Sequence, residues 1–552
     1  MKKNYFIISL IITILSGCSS KKDINPAIDS INAESMKKYI STLASDDFQG
    51  RAPATVGEEK TINYLAEQFK ELGLEPAVNG SYFQQVALLK ITADKKMKLD
   101  IAGTGKKLSL DYSRDFIGST PNPSEEMKIE NSEIVFAGYG IVAPEYGWND
   151  YSGLDVKGKT VIVLVNDPGY ATGDTSLFTG KAMTYYGRWT YKYEEAARQG
   201  AAAVLIIHET GPAGYPWEVV NNSWSGPQFS LENNSLMASG LQLKGWLTGD
   251  AAEKIFKAAQ VDLAQLKADA AKKGFKPLSL NLSLSTDFRN SVEHVKSNNV
   301  AALLPGKDRP DEYIIYTAHW DHFGINPSFT GDSILNGALD NATGVAALLE
   351  LAKAFRNLPE KQDRSVLFLS VTCEEQGLLG SEFYARNPLF PLDKTAAVIN
   401  MDALNILGPT KDMTIVGYGN SGLDKYAEDV LKKYGRYAQP DPTPEKGSYF
   451  RSDHFSFARE GVPALYLSKG VDDIEHGRDW ALKQSEEWTM QNYHKPSDNY
   501  EPEKWNFNGM MDDIKIYFEI GYNLSMTDEF PNWSPSFPFK AKRDEMRISK
   551  VR

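Results

Sequence analysis

Seven histidines occur in the chain, and five lie between His319 and His494. His319 follows the apolar run Tyr313–Ala318, Glu374 and Glu375 follow Ser365–Thr372, and Asp402 follows Ala396–Met401. Asp340 sits in Gly337-Ala338-Leu339-Asp340-Asn341-Ala342-Thr343-Gly344, and His494 in Tyr493-His494-Lys495-Pro496-Ser497-Asp498. Ligands of open α/β sheets bind outside the carboxyl ends of the strands, so these side chains are expected on one edge. Two imidazoles and at least three carboxylates exceed what one tetrahedral ion needs. They suit two ions about 3.5–4 Å apart that share a carboxylate and a water, with a further carboxylate left as general base. Imidazole with carboxylate fits zinc best, with cobalt or manganese as alternatives. Without cations, so many adjacent carboxylates would repel one another.

The elements that must position these residues read as strands alternating with helices from Asn299 onward. Short, fully apolar runs, with helices at Thr343–Leu358 and Leu423–Tyr434, predict an α/β sheet covered on both faces. Ahead of them, Ala33–Leu43 and Glu58–Leu72 have helical spacing, with Gly73 as a C-cap. Gln84–Leu89 and Met97–Ile101 read as strands. The texture changes near Asn131. Glu133–Val142 and Thr160–Val165 are β-rich, Tyr191–Gln199 is a helix, Ala202–Ile207 a buried strand, and Ala251–Lys272 an amphipathic helix. This block shows no clustering that suggests chemistry, and His208 reads as structural. The tail after Phe530 is Pro-rich, then charged, and is expected to pack poorly.

Composition narrows the partners. The chain has 552 residues and a net charge of −12, so it repels a phosphate backbone and nucleic acid is not expected as a partner. Two cysteines, Cys18 and Cys373, exclude a disulfide scaffold. Lys2 and Lys3 precede the apolar run Tyr5–Leu15, which is too short to span a bilayer. Leu15-Ser16-Gly17-Cys18 resembles the lipobox of bacterial lipoproteins. That resemblance implies cleavage before Cys18, lipidation of Cys18, and a location at the bacterial cell envelope, on the periplasmic or surface face of the outer membrane. Contact with the membrane is expected through this anchor only.

Six elements in order resemble the M28 family of co-catalytic zinc peptidases: Ala318-His319-Trp320-Asp321-His322, Gly337–Gly344, Cys373-Glu374-Glu375-Gln376-Gly377, Asn400-Met401-Asp402, Ser452-Asp453-His454, and Tyr493-His494-Lys495-Pro496. The similarity extends over Gln49-Gly50-Arg51 to Gly73 and Asn299–Gly306. The resemblance implies that His319 and Asp402 hold one zinc, Glu375 and His494 the other, and that Asp340 bridges. Glu374 would be the general base, Asp321 would orient the His319 imidazole, and Tyr449 would stabilise the oxyanion. It also implies a cis Asp340–Asn341 peptide. Ile134–Gly140, Gly158–Val165 and Glu194–Ile207 resemble a protease-associated domain.

The implied architecture is a zinc-exopeptidase-like mixed α/β sheet flanked by helices, with that β-rich domain inserted. It divides into a signal peptide (1–17), a tether (18–32), an N-terminal peptidase segment (33–130), the insert (131–288), a C-terminal peptidase segment with the metal site (289–530) and a tail (531–552). The implied activity is that of a di-zinc exopeptidase acting on peptides, an aminopeptidase first. A carboxypeptidase or dipeptidase would need cations for a terminal carboxylate, with Arg451, Lys495 and Arg478 as candidates. A receptor-like binding module without activity is the alternative of another class.

Overall fold

A computed structural model describes residues 23–548 apart from 104, 233–235 and 237–238. The signal peptide and the lipidation site at Cys18 lie outside the described residues. No helix among the described residues is long and apolar enough to cross a membrane.

The core of the fold is a mixed sheet. Its principal elements are β1 (Phe83–Ala93), β2 (Leu278–Leu304), β3 (Arg309–His319), α1 (Thr343–Arg356), β4 (Arg364–Val371), β5 (Thr395–Asn400), β6 (Asp412–Val416), β7 (Ala464–Ser468) and α2 (Phe507–Met526). Hydrogen bonding orders the strands β1-β2-β4-β3-β5-β7-β6, with β4, β3, β5 and β7 parallel and β2 and β6 antiparallel to their neighbours. Alternate residues of the central strands enter different cores. Ile314, Tyr316, Val366 and Phe368 pack on the side covered by α1 and α2. Ile315, Leu367 and Leu369 pack on the opposite side with Tyr384 and Phe457. Burial on both faces explains why these strands read as unbroken apolar runs.

Register then sets the site. His319 pairs with Val371, and Thr317 with Asn400. The carboxyl ends of β3, β4 and β5 are therefore level, and the residues that follow them emerge on one edge.

A second core runs from Ala93 to Phe288. Its sheet places Glu126–Phe136, Thr160–Leu164, Ala203–Ile207 and Leu243–Leu247 in parallel. The strand β2 belongs to both sheets: its first half pairs with Glu126–Phe136 and its second with β1. The boundaries placed at 131 and 288 thus fall inside strands, because alternation does not reveal which sheet a strand joins.

Three local readings differ from the structure. Ala251–Lys272 is two helices, Gly249–Ala258 and Leu263–Ala270, because Asp262 caps the second by accepting from the Gln265 amide. The tether is docked from residue 25: Asn25–Ser30 is helical, and Ala27 and Ile31 are buried in the main core. The tail packs as well. Trp533 stacks on Phe537 and donates to the Gly461 carbonyl, and the buried Arg543 donates to the Thr395 carbonyl.

Arg51 ties the early helices to the site edge. It is 1% exposed and donates to the carbonyls of Trp320 (2.8 Å), Leu43 (2.7 Å), Asn336 (2.6 Å) and Gly337 (2.8 Å). Trp320 directly follows His319, and Asn336 and Gly337 open the turn that carries Asp340. Arg51→Met leaves four carbonyls without their donor and is expected to cost about 3–5 kcal/mol, read as a lowered denaturant midpoint.

Candidate metal centre

Asp340 lies in the turn between β3 and α1, ahead of the Thr343 helix start. The Asp340–Asn341 peptide is cis, as the resemblance implied. Gly337 has φ +55°, and a Cβ there would collide with the Asp340 carbonyl and the His322 ring, so the turn requires glycine. The Asp498 carboxylate accepts from the amides of Leu339 (2.9 Å) and Asp340 (3.1 Å). The Asn341 side chain donates to the Met401 carbonyl and accepts from the Gly344 and Ala403 amides, joining this turn to the Asp402 loop.

This scaffold splits the Asp340 carboxylate between two groups. Its Oδ1 lies 3.3 Å from His319 Nε2, which lies 3.5 Å from Asp402 Oδ1. Its Oδ2 lies 3.5 Å from His494 Nε2, which lies 3.0 Å from Glu375 Oε2. Glu374 is close enough to His319 and Glu375 for the three to hold one ion. Asp321 accepts from the Glu374 amide at 3.0 Å through its carboxylate, and its backbone carbonyl takes His319 Nδ1 at 3.2 Å. Asp402 accepts from Ser452 Oγ at 2.6 Å.

The donor set fits metal ions. Nε2 of both His319 and His494 is buried without a hydrogen-bond partner. Glu374, Glu375, Asp340 and Asp402 converge, yet none is paired with a Lys or Arg among the described residues. Burial and the nearby Asp402, Glu375 and Asp453 push the Glu374 carboxyl well up, against the pull of His319. Burial alone would lower the imidazoles; Glu374 and its fellow carboxylates instead carry His319 well above its usual range, and Glu375 with Asp340 carries His494 to about 9. A site that draws protons onto its imidazoles is one whose charge a bound cation would balance, releasing those protons.

Tyr449 is not brought into this set. Its ring packs with His454, Phe450, Phe455 and Phe537, and it is not among the residues that line the cleft. The phenol beside the donors is Tyr493, whose ring centroid lies 3.8 Å from that of His494. His322 is buried and meets Glu375 Oε1 at 2.5 Å. Of the cations proposed for a terminal carboxylate, Arg451 lines the cleft. Lys495 instead donates to the Met490 carbonyl, and Arg478 to Gln439.

Two contacts from the inserted module were invisible in the sequence. Ser223 Oγ donates to the Val219 carbonyl at 2.7 Å and so accepts the Nδ1 proton of His494 at 2.8 Å, leaving Nε2 as the ligating lone pair. Asn222 donates to the His494 carbonyl at 2.9 Å. A lone Ser-Asn pair so far along the chain from its partner carries no spacing signal. Asp498, close behind His494, could have been suspected from its motif.

Sheet and donor set together define an α/β protein with a cluster of imidazoles and carboxylates able to hold metal at the carboxyl edge of its parallel strands. Residues 299–518 match the model of Peptidase family M28. A probable zinc metalloprotease of Pyrenophora tritici-repentis is 37% identical over 117 residues, 21% of this chain and 26% of the fungal protein. The chain thus spans about a quarter of that relative's length. Aminopeptidase YwaD of Bacillus subtilis is 25% identical over 476 residues, covering 84% of this chain and 80% of YwaD. The solved aminopeptidase from Aneurinibacillus sp. strain AM-1 shares the fold, with a TM-score of 0.54 at 19% identity over 93% of this chain and 99% of that one.

Ser223→Ala is expected to weaken metal binding about 10–100-fold through the misoriented His494 ring, measured by titration against a competing chelator.

Proposed function

We propose that the chain is a di-zinc exopeptidase that releases N-terminal residues from peptides. The observation that carries the reading is the Asp340 carboxylate, whose two oxygens face two separate imidazole–carboxylate pairs. The match of residues 299–518 to the model of family M28 and the similarity to YwaD support it. When bound, the two ions would polarise the scissile carbonyl and acidify a water between them.

The chain's own residues do the rest. Glu374 takes the proton of the attacking water and delivers it to the leaving amine. Asp321 fixes the Glu374 backbone, and Ser452 and Ser223 fix Asp402 and His494. The acidic cluster favours a free α-amine in the substrate. A cleft of about 720 Å³ leads away from Glu374, Glu375 and His494 beneath the inserted module, giving a peptide room. We assign that module to the protease-associated type, as a wall of the cleft. An anchor at Cys18, supported by the sequence around it, would hold the enzyme at the cell envelope.

A dipeptidase reading has one observation in its favour, the position of Arg451 in the cleft. Free and N-acylated peptides compared in one assay separate the two from an endopeptidase: an aminopeptidase loses the acylated set, and cleavage of both sets alike overturns the reading.

Two outcomes are expected of the purified protein. It takes up about two zinc equivalents, since two donor groups share one carboxylate; saturation at one equivalent with full activity would sink the di-zinc assignment. Glu374→Gln keeps the metals but loses about 10²–10⁴-fold in kcat, because the amide cannot accept the proton.

A further inference from the structure

Arg188 comes from the inserted module and Arg451 from the loop ahead of Ser452, and both line the cleft that holds Glu374, Glu375 and His494. Arg188 is 9% exposed, and its Nε is buried without a partner. Among the described residues its guanidinium has no hydrogen bond and no ion pair; its nearest ring is that of Trp189, 5.4 Å from the guanidinium carbon. Arg451 donates to the Tyr493 hydroxyl at 3.1 Å and to the Lys446 carbonyl at 3.4 Å, and lies over the Tyr215 ring at 5.0 Å. It too has no carboxylate partner among the described residues. Burial and the neighbouring Arg451 push Arg188 down to about 10.

A buried guanidinium, that of Arg188, and a half-buried one, that of Arg451, lining one cleft are unfavourable unless an anion answers them. Among the described residues no carboxylate is within ion-pair distance of either arginine, and the charge of Glu374 reaches Arg451 only across the cleft. The planar fork of each guanidinium matches a carboxylate bidentately. The pair also adjoins the metal centre, since Tyr493, which Arg451 holds, packs on His494.

We propose that Arg188 and Arg451 form a carboxylate subsite, so that the cleft selects peptides presenting a carboxylate next to the bond held at the metal centre. This rests on the peptidase reading above. The carboxylate comes either from an acidic side chain or from the peptide's own terminus. The second source would make the enzyme a dipeptidase.

Three probes separate these cases: Ala-Ala amide with no carboxylate, Ala-Ala with a terminal one, and Ala-Glu amide with a side-chain one. Each is titrated into the metal-free protein, with the fluorescence of the cleft tryptophans Trp189 and Trp224 as readout, and each is assayed for kcat/KM on the zinc-loaded enzyme. At least one carboxylate-bearing probe is expected to bind about tenfold or more tighter than Ala-Ala amide, the span of a charge-assisted hydrogen-bonded pair. The tighter of the two names the source.

Arg188→Gln is expected to erase that preference, and Arg188→Lys to restore some of it. Should Arg188→Gln not fold, Arg451→Gln replaces it, and the wild-type comparison alone already decides. Binding of all three probes within about threefold of one another, or an undiminished preference in a folded Arg188→Gln protein, overturns the subsite. A wild-type protein that cleaves none of the probes refutes the peptidase reading, while the fluorescence titration still decides the subsite.

Discussion

A single carboxylate shared between two buried imidazoles is the constraint on which this molecule is organised. Asp340 must present each oxygen to a different partner, and around it stand Glu374, Glu375 and Asp402 with no Lys or Arg among the described residues paired to them. Such an arrangement repels itself, so the backbone has to be held by other means. Asp498 grips the amides of Leu339 and Asp340, Arg51 grips the carbonyls of Gly337, Asn336 and Trp320, and Asn341 bonds across to the Asp402 loop. The ligand loops are thus fastened to one another as well as to their strands, which is what pre-organisation of a metal site requires.

The inserted module takes part in that fastening. None of the proposed ligands comes from it, yet Ser223 sets the proton on His494 and Asn222 holds its backbone. The module also supplies one wall of the cleft, including Arg188, Trp224 and Lys244. Ligand geometry and substrate access are therefore coupled through the same short helix, Trp217–Trp224. A shift of that helix would alter both.

The donors were legible because the chemistry follows strand ends. His319, Glu374, Glu375 and Asp402 each come within a few residues of an apolar run, and that local pattern survives folding intact. Asp340 and His494 were legible from their motifs. What stayed hidden depended on contacts between distant segments. Tyr449 has a suitable offset from Ser452, but its ring is enclosed by those of His454, Phe450, Phe455 and Phe537. The tail looked loose because its charges outnumber its aromatics, yet Trp533 and Arg543 find buried partners in the main domain. The module boundaries were misplaced because a strand's alternation is the same whichever sheet it joins.

The continuity of β2 has a mechanical consequence. One strand of 27 residues leaves the second sheet and enters the first without a break. An insert joined by two loose linkers could swing as a lid about both. Here the exit is a paired β-ribbon, and bending it means breaking ladder hydrogen bonds with β1 or with Glu126–Phe136. The two modules are therefore levers on one beam. Strain applied at the cleft wall travels along β2 directly into the main sheet, which it enters at the edge that carries the donors, beside the carboxyl end of β4, and substrate exchange has to use the give of side chains and loops in place of a hinge.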